Sequence, residues 1–153
     1  MPKASDAVTV SARKKYLFYF ALICAFIIGV VAWFLLQPSS PKLTVNGKQY
    51  VLEIKDTDAE RQQGLSGRDS LPPSNAMLFS FDNHAQRCFW MKDMKFDIDI
   101  VWLDESKKVV ALEQSVQPSS YPQNFCHDGK YVAEFVAGTA KTDGISKGSQ
   151  FNF

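Results

Sequence analysis

The hydrophobic pattern of the chain changes character once, near Gln37. Before it, Tyr16 to Leu36 reads YLFYFALICAFIIGVVAWFLL, 21 residues without a charge. At about 1.5 Å per residue such a helix reaches about 32 Å, enough to cross the hydrocarbon core, so the run predicts a membrane-spanning helix. From residue 43 onward, short apolar runs and period-two alternation replace it, as expected of strands with one buried face.

The alternating part begins with Lys42–Val45 and Lys48–Ile54 around Asn46-Gly47, a pair that tolerates the positive φ of a type I′ turn and so predicts a hairpin. Thr57 with Glu60 three residues on predicts a capping box and a short helix from Asp58 to near Leu65, weakened by Gly64 and ended by Gly67. Ala76–Phe81 reads as a buried strand and Asp82–Gln86 as a loop carrying His84. Cys88–Met91, a charged turn Lys92–Lys95 and Phe96–Leu103 then predict a central hairpin. In it Phe96, Ile98, Ile100 and Trp102 face the core, while Asp97, Asp99 and Val101 take the wet side. Lys108–Val116 is the next strand, Pro118–Lys130 a loop long enough to act as a lid, and Tyr131–Ala137 a further strand with Glu134 opposite Ala133 and Phe135. One helical turn within Gly138–Ile145 and a strand at Ser149–Phe153 complete the pattern. The expected fold is mainly β: an antiparallel β-sandwich or partly closed barrel with one or two short helices, preceded by a single transmembrane helix.

Charge orients these parts. Arg13, Lys14 and Lys15 precede the apolar run and no charge follows it until Lys42, which places residues 1–15 in the cytoplasm as an unstructured tail. Residues 16–36 then form the anchor, 37–42 a Pro/Ser linker, and 43–153 an extracytoplasmic β domain held close to the bilayer. A cleaved signal is the competing reading, but its apolar region runs about 7 to 15 residues and ends in a small-x-small site, which Trp33–Pro38 does not offer. Of the 17 basic and 16 acidic side chains the tail takes four and one, leaving 13 against 15. No clustered Lys/Arg face for nucleic acid remains.

Cys88 and Cys126 are the only cysteines beyond the anchor, and in an oxidising compartment they are expected to pair, closing a loop of about 39 residues. Two alternatives use the same side chains. His84, Cys88, Cys126 and His127 carry the atoms of a zinc site at an awkward spacing, and a Cys88 nucleophile with His127 as base and Asn124 as its orienter is formally possible. Asp97 and Asp99, two apart on a strand with α-carbons about 7 Å from each other, match the spacing of glycosidase carboxylates, although alternation alone produces the same thing. No cofactor is called for. The arrangement of a rigid aromatic among charges points instead to a site for a small polar or carbohydrate-like ligand built from Arg68, Trp90, Lys92 and Asp99.

Four separated blocks, ERQQGLSGRDSL at 60–71, AMLFSF at 76–81, FWMKDMKFDIDIVWL at 89–103 and YVAEFVAG at 131–138, resemble the small bacterial and archaeal family called domain of unknown function 192. The resemblance implies an all-β, sandwich-like domain with a short helix, often exported or anchored, and brings no accepted catalytic residues. Arg61, Gly64, Arg68, Trp90, Asp99 and Glu134 fall on matching positions, and from them an ion pair of Asp99 with Arg68 or Arg61 is expected. Ser66, Ala76 and Asp93-Met94 depart from the pattern, where Met, Gly and Asn-Thr are typical. Three roles follow: an envelope binding module, an envelope hydrolase or metal-dependent enzyme using the His/Cys set, and a protein interaction domain using an exposed sheet edge.

Overall fold

The computed structural model describes residues 4–36 and 40–153, which fall into two compact units, Met1–Ser39 and Ser40–Phe153. In the first, α1 (Ala4–Leu35) contains the uncharged span Tyr16–Leu35. Its apolar side chains are exposed, with Phe34 74% and Leu36 80% accessible, a composition that suits lipid. The helix is a candidate membrane anchor, a property of length and composition that signal sequences share. It begins at Ala4, so residues expected to form an unstructured tail extend the helix instead. Residues 1–3 of that tail and 37–39 of the linker lie outside the described residues.

The second unit is one curled sheet. Its strands are β1 (Lys42–Val45), β2 (Lys48–Lys55), β3 (Asn75–Phe89), β4 (Ile98–Leu103), β5 (Val109–Val116), β6 (Phe125–Val136) and β7 (Phe151–Asn152), in the spatial order β5-β4-β6-β3-β2-β1-β7. All pairs are antiparallel except β2 with β3. The two edge strands meet at one end, where Lys108 bridges Gln150 and the Phe151 amide donates to Lys107 O at 3.0 Å. Of the two expected architectures, the partly closed barrel is the one formed.

Local chemistry sets the elements around the site. Asn46 and Gly47 take φ of 48° and 77°, as the β1–β2 hairpin requires. Thr57 and Glu60 form the capping box of α2 (Asp58–Gln63), and Gly64, at φ 46°, stops it. A Cβ on Gly64 would lie 3.2 Å from the Phe79 ring, so glycine also lets the helix end settle onto the sheet. After β6, a single turn, α3 (Thr139–Thr142), leads back toward β7.

Three expectations fail, each for a pairing reason. β3 and β4 do not form a hairpin, because β6 lies between them. All six residues of β4 are buried, so it needs a partner on each side and cover on both faces, and Asp99 has no wet side to occupy. The supposed His84 loop belongs to β3, as an irregularity between Ser80 and Ala85 in its pairing with β6. The supposed lid shrinks to the segment around Pro118–Ser120, since Phe125, Cys126 and His127 pair with Phe89, Cys88 and Arg87.

The sheet carries two cores. One contains Leu43, Tyr50, Leu78, Val101, Phe135 and Phe151 and is sealed by Ala140 and Ile145. The other contains Met77, Phe79, Ile100, Trp102 and Val132 on the opposite face and is covered by Leu65, Leu71 and Met91 from the connecting segments.

Candidate functional site

The second core is not completely filled. Between the end of α2, the Gly64–Ser66 turn, β3, β6 and Trp90 lies a cavity of about 310 Å³. Phe79, Phe81, Phe89 and Met94 supply much of its apolar lining, and Trp90, 47% exposed, forms its rim. Phe79 and Phe89 meet edge to face at 4.8 Å, and Phe89 packs on Trp102 at 5.9 Å, so the aromatic wall is held from behind.

Two guanidinium groups reach the same wall. Arg61, on α2, donates to Ser80 O at 2.7 Å and to Asp58 Oδ1 at 2.5 Å, with its Cζ 5.0 Å from the Phe81 ring centre. Arg87, on β3, lies 4.1 Å from that centre and donates through Nη2 to Asn83 O and Oδ1. Both therefore stack on Phe81, a favourable contact for a planar cation.

Glu134 lines the cavity from β6. It is 5% exposed, and its neighbours in the sheet are Met77 and Ile100. Burial pushes its carboxyl up to about 8, against the opposing pull of Arg68. Among the described residues two buried side-chain polar atoms have no hydrogen-bond partner, Glu134 Oε2 and Arg87 Nε, and both residues line this one cavity. Buried polar groups are almost always satisfied, so two orphans on residues lining one hollow set it apart from the rest of the described residues.

The expected ligand residues are dispersed. Trp90 lines the cavity, whereas Arg68 gives both arms of its fork to Glu53, at 2.9 and 2.6 Å, and acts on Glu134 only through its charge. That fork, with Lys55, holds Glu53 well below the usual carboxylate range. Lys92 is exposed in the turn, where its carbonyl accepts from Ser66 Oγ at 2.9 Å. Asp99 is fully buried and makes no ion pair with Arg68 or Arg61. Its oxygens accept from the Ser115 and Ala140 amides, each at 2.8 Å.

Cys88 and Cys126 are joined in a disulfide, at directly paired positions of β3 and β6 with α-carbons 4.1 Å apart. The sulfurs are thus bonded to each other rather than offered to zinc or to a substrate. His127 pairs instead with Glu113 at 2.8 Å and packs against Trp102, while His84 is exposed on β3. No cluster of three or more potential metal ligands occurs among the described residues. Sequence reasoning gave Glu134, Arg87 and Phe81 no role in the site, although Glu134 falls on a family-pattern position and stands as an acidic residue in the middle of the apolar strand VAEFV.

These features define a small curled-sheet domain with a polar-floored hollow on one face, following a candidate membrane anchor. The model of the DUF192 family, described as uncharacterized ACR, matches residues 41–153, and the chain belongs to that family. A crystallised protein of unknown function from Novosphingobium aromaticivorans superposes with a TM-score of 0.69 at 23% identity, over 73% of this chain and 84% of that one. A putative transcription regulator from Sinorhizobium meliloti superposes at 0.68 and 24%, over 76% and 96%. Both likenesses concern the fold. No curated protein matches the chain.

Proposed function

We propose that the protein is a membrane-anchored binding module whose β domain, outside the cytoplasm, takes up a small polar, carbohydrate-like ligand in the cavity beneath α2. The observation that carries this reading is that the two residues with an unsatisfied buried polar atom, Glu134 with Oε2 and Arg87 with Nε, both line one aromatic-walled hollow. A ring hydroxyl can both donate and accept, so one ligand can satisfy both atoms while its C–H face lies on Trp90. The size also fits, since ligand pockets begin at about 300 Å³. The Arg13-Lys14-Lys15 cluster before the apolar span and the disulfide in the domain support the orientation, because basic flanks stay in the cytoplasm and structural disulfides persist outside it.

Saturation-transfer NMR on the full chain in a sugar-free detergent, with a mixture of neutral, amino and acidic monosaccharides, tests the reading. Transfer to at least one sugar is expected, and Trp90→Ala should abolish it without changing thermal unfolding. Absence of transfer, or transfer that survives Trp90→Ala, rejects the site.

A further inference from the structure

Arg61 and Arg87 line the cavity together with Glu134, Arg68 acts on Glu134 through its charge, and the three arginines differ in how their own charge is met. Arg61 has Asp58 and Arg68 has Glu53, but Arg87 has no acidic partner among the described residues. Its Nη2 bonds are to the neutral carbonyl and amide of Asn83, and its Nε is without an acceptor. A guanidinium fork left this way fits a carboxylate, whose two oxygens match it in plane. An ammonium ligand, by contrast, would meet two guanidinium groups already stacked on Phe81.

We infer that the cavity selects an anionic, hydroxyl-bearing ligand, a sugar acid or hydroxy acid, with its carboxylate on Arg87 and a hydroxyl on Glu134. This rests on the reading of the cavity as a ligand site and specifies its charge. Glu134 does not oppose an anion near neutral pH, because burial keeps it protonated up to about 8. In that form it offers both an O–H and a carbonyl to the ligand. The charged group that acts on it is Arg68, paired with Glu53 beside Lys55 at β2, while Arg61 on α2 and Arg87 on β3 line the same cavity. Two strands away across the sheet stands Glu113, paired with His127. Ionisation of Glu134 would add a negative charge beside the ligand and drive an anion out.

The test is a titration of the full chain, in a sugar-free zwitterionic detergent, with glucuronate, glucose and glucosamine, followed on the Trp90 indole N–H resonance. Glucuronate should bind best at pH 6 and about tenfold more weakly at pH 9, one pH unit above the Glu134 value. In Glu134→Gln the profile between pH 6 and 9 should be flat. Arg87→Gln, whose side chain is partly exposed, should lose about tenfold or more for glucuronate, a loss clearly larger than the one for glucose. Preference for glucosamine, binding that strengthens toward pH 9, or indifference to Arg87→Gln would overturn the anionic assignment while leaving the cavity a ligand site. No response to any of the three probes would overturn both. The wild-type pH profile and Arg87→Gln decide the matter even if Glu134→Gln fails to fold.

Discussion

Asp99 and Glu134 are the two buried acids of the described residues, and they sit one register step apart on adjacent strands. Asp99 pairs with Phe135 and belongs to the sealed face, whereas Glu134 pairs with Ile100 and faces the cavity. Asp99 is served by two backbone amides. One is Ser115, held at φ 52° at the irregularity of β5, and the other is Ala140 of α3. Its carboxylate therefore fastens a strand bulge and a helical turn to the same point. Glu134 has an oxygen with no donor at all. Similar burial thus means different things: where the fold supplies the partners the acid is part of the architecture, and where it withholds them an oxygen is left unpaired on the cavity wall, as the proposed ligand site requires.

The largest effect that tests this contrast is Asp99→Ala. It strands the buried Ala140 amide and the part-buried Ser115 amide and opens a small void, so a loss of about 3 kcal/mol is expected in denaturant unfolding. A loss below about 1 kcal/mol would remove the architectural role.

Glu134→Gln should act in the other direction. Burial raises the Glu134 carboxyl from 4.5 to about 8, so the unfolded chain releases this proton first as pH rises. Stability is therefore undiminished below pH 4.5, falls between 4.5 and about 8, and levels off above that. At about 1.4 kcal/mol per unit the span approaches about 5 kcal/mol, and Gln, with no proton to lose, escapes it. After the cost of an unpaired amide, a gain of about 2 to 3 kcal/mol at pH 8 is expected, shrinking toward nothing at pH 5. Unfolding curves at both pH values check it, and a variant less stable than wild type at pH 8 would contradict it.

The contrast also shows what could be read without coordinates. The Asn46-Gly47 turn, the Thr57–Glu60 cap, the short helix and the Cys88–Cys126 bond were legible because each depends on residues whose chemistry is local or whose number is small. Strand neighbours were not legible. Insertion of β6 between β3 and β4 is decided by sequence separations of 28 to 57 residues, to which alternation is blind. The misreading of Asp99 came from the same source: a period of two places a residue on a face but does not say whether α3 covers that face. Trp90, which lines the cavity, stood out because an aromatic amid charges is conspicuous, whereas Glu134 looked like one more alternating polar residue until β3 and the end of α2 closed over it.

The smallest expected effect concerns the charge that tunes Glu134. Arg68 and Glu53 form a forked pair whose side chains are 36% and 40% exposed, so Arg68→Met should cost no more than about 1 kcal/mol. Arg68 is nevertheless the named cation pulling the Glu134 carboxyl down against burial. Its removal should raise the pH at which Glu134 ionises, read from the carbon-13 shift of its carboxyl carbon, and should extend the fall in stability to higher pH. The same substitution should leave the Ser115 and Ala140 amide resonances in place, because Asp99 takes its partners from the backbone and not from Arg68. If instead those amides shift and Glu134 titrates unchanged, then Arg68 acts on the architectural acid rather than on the one in the cavity, and the division between the two faces is lost.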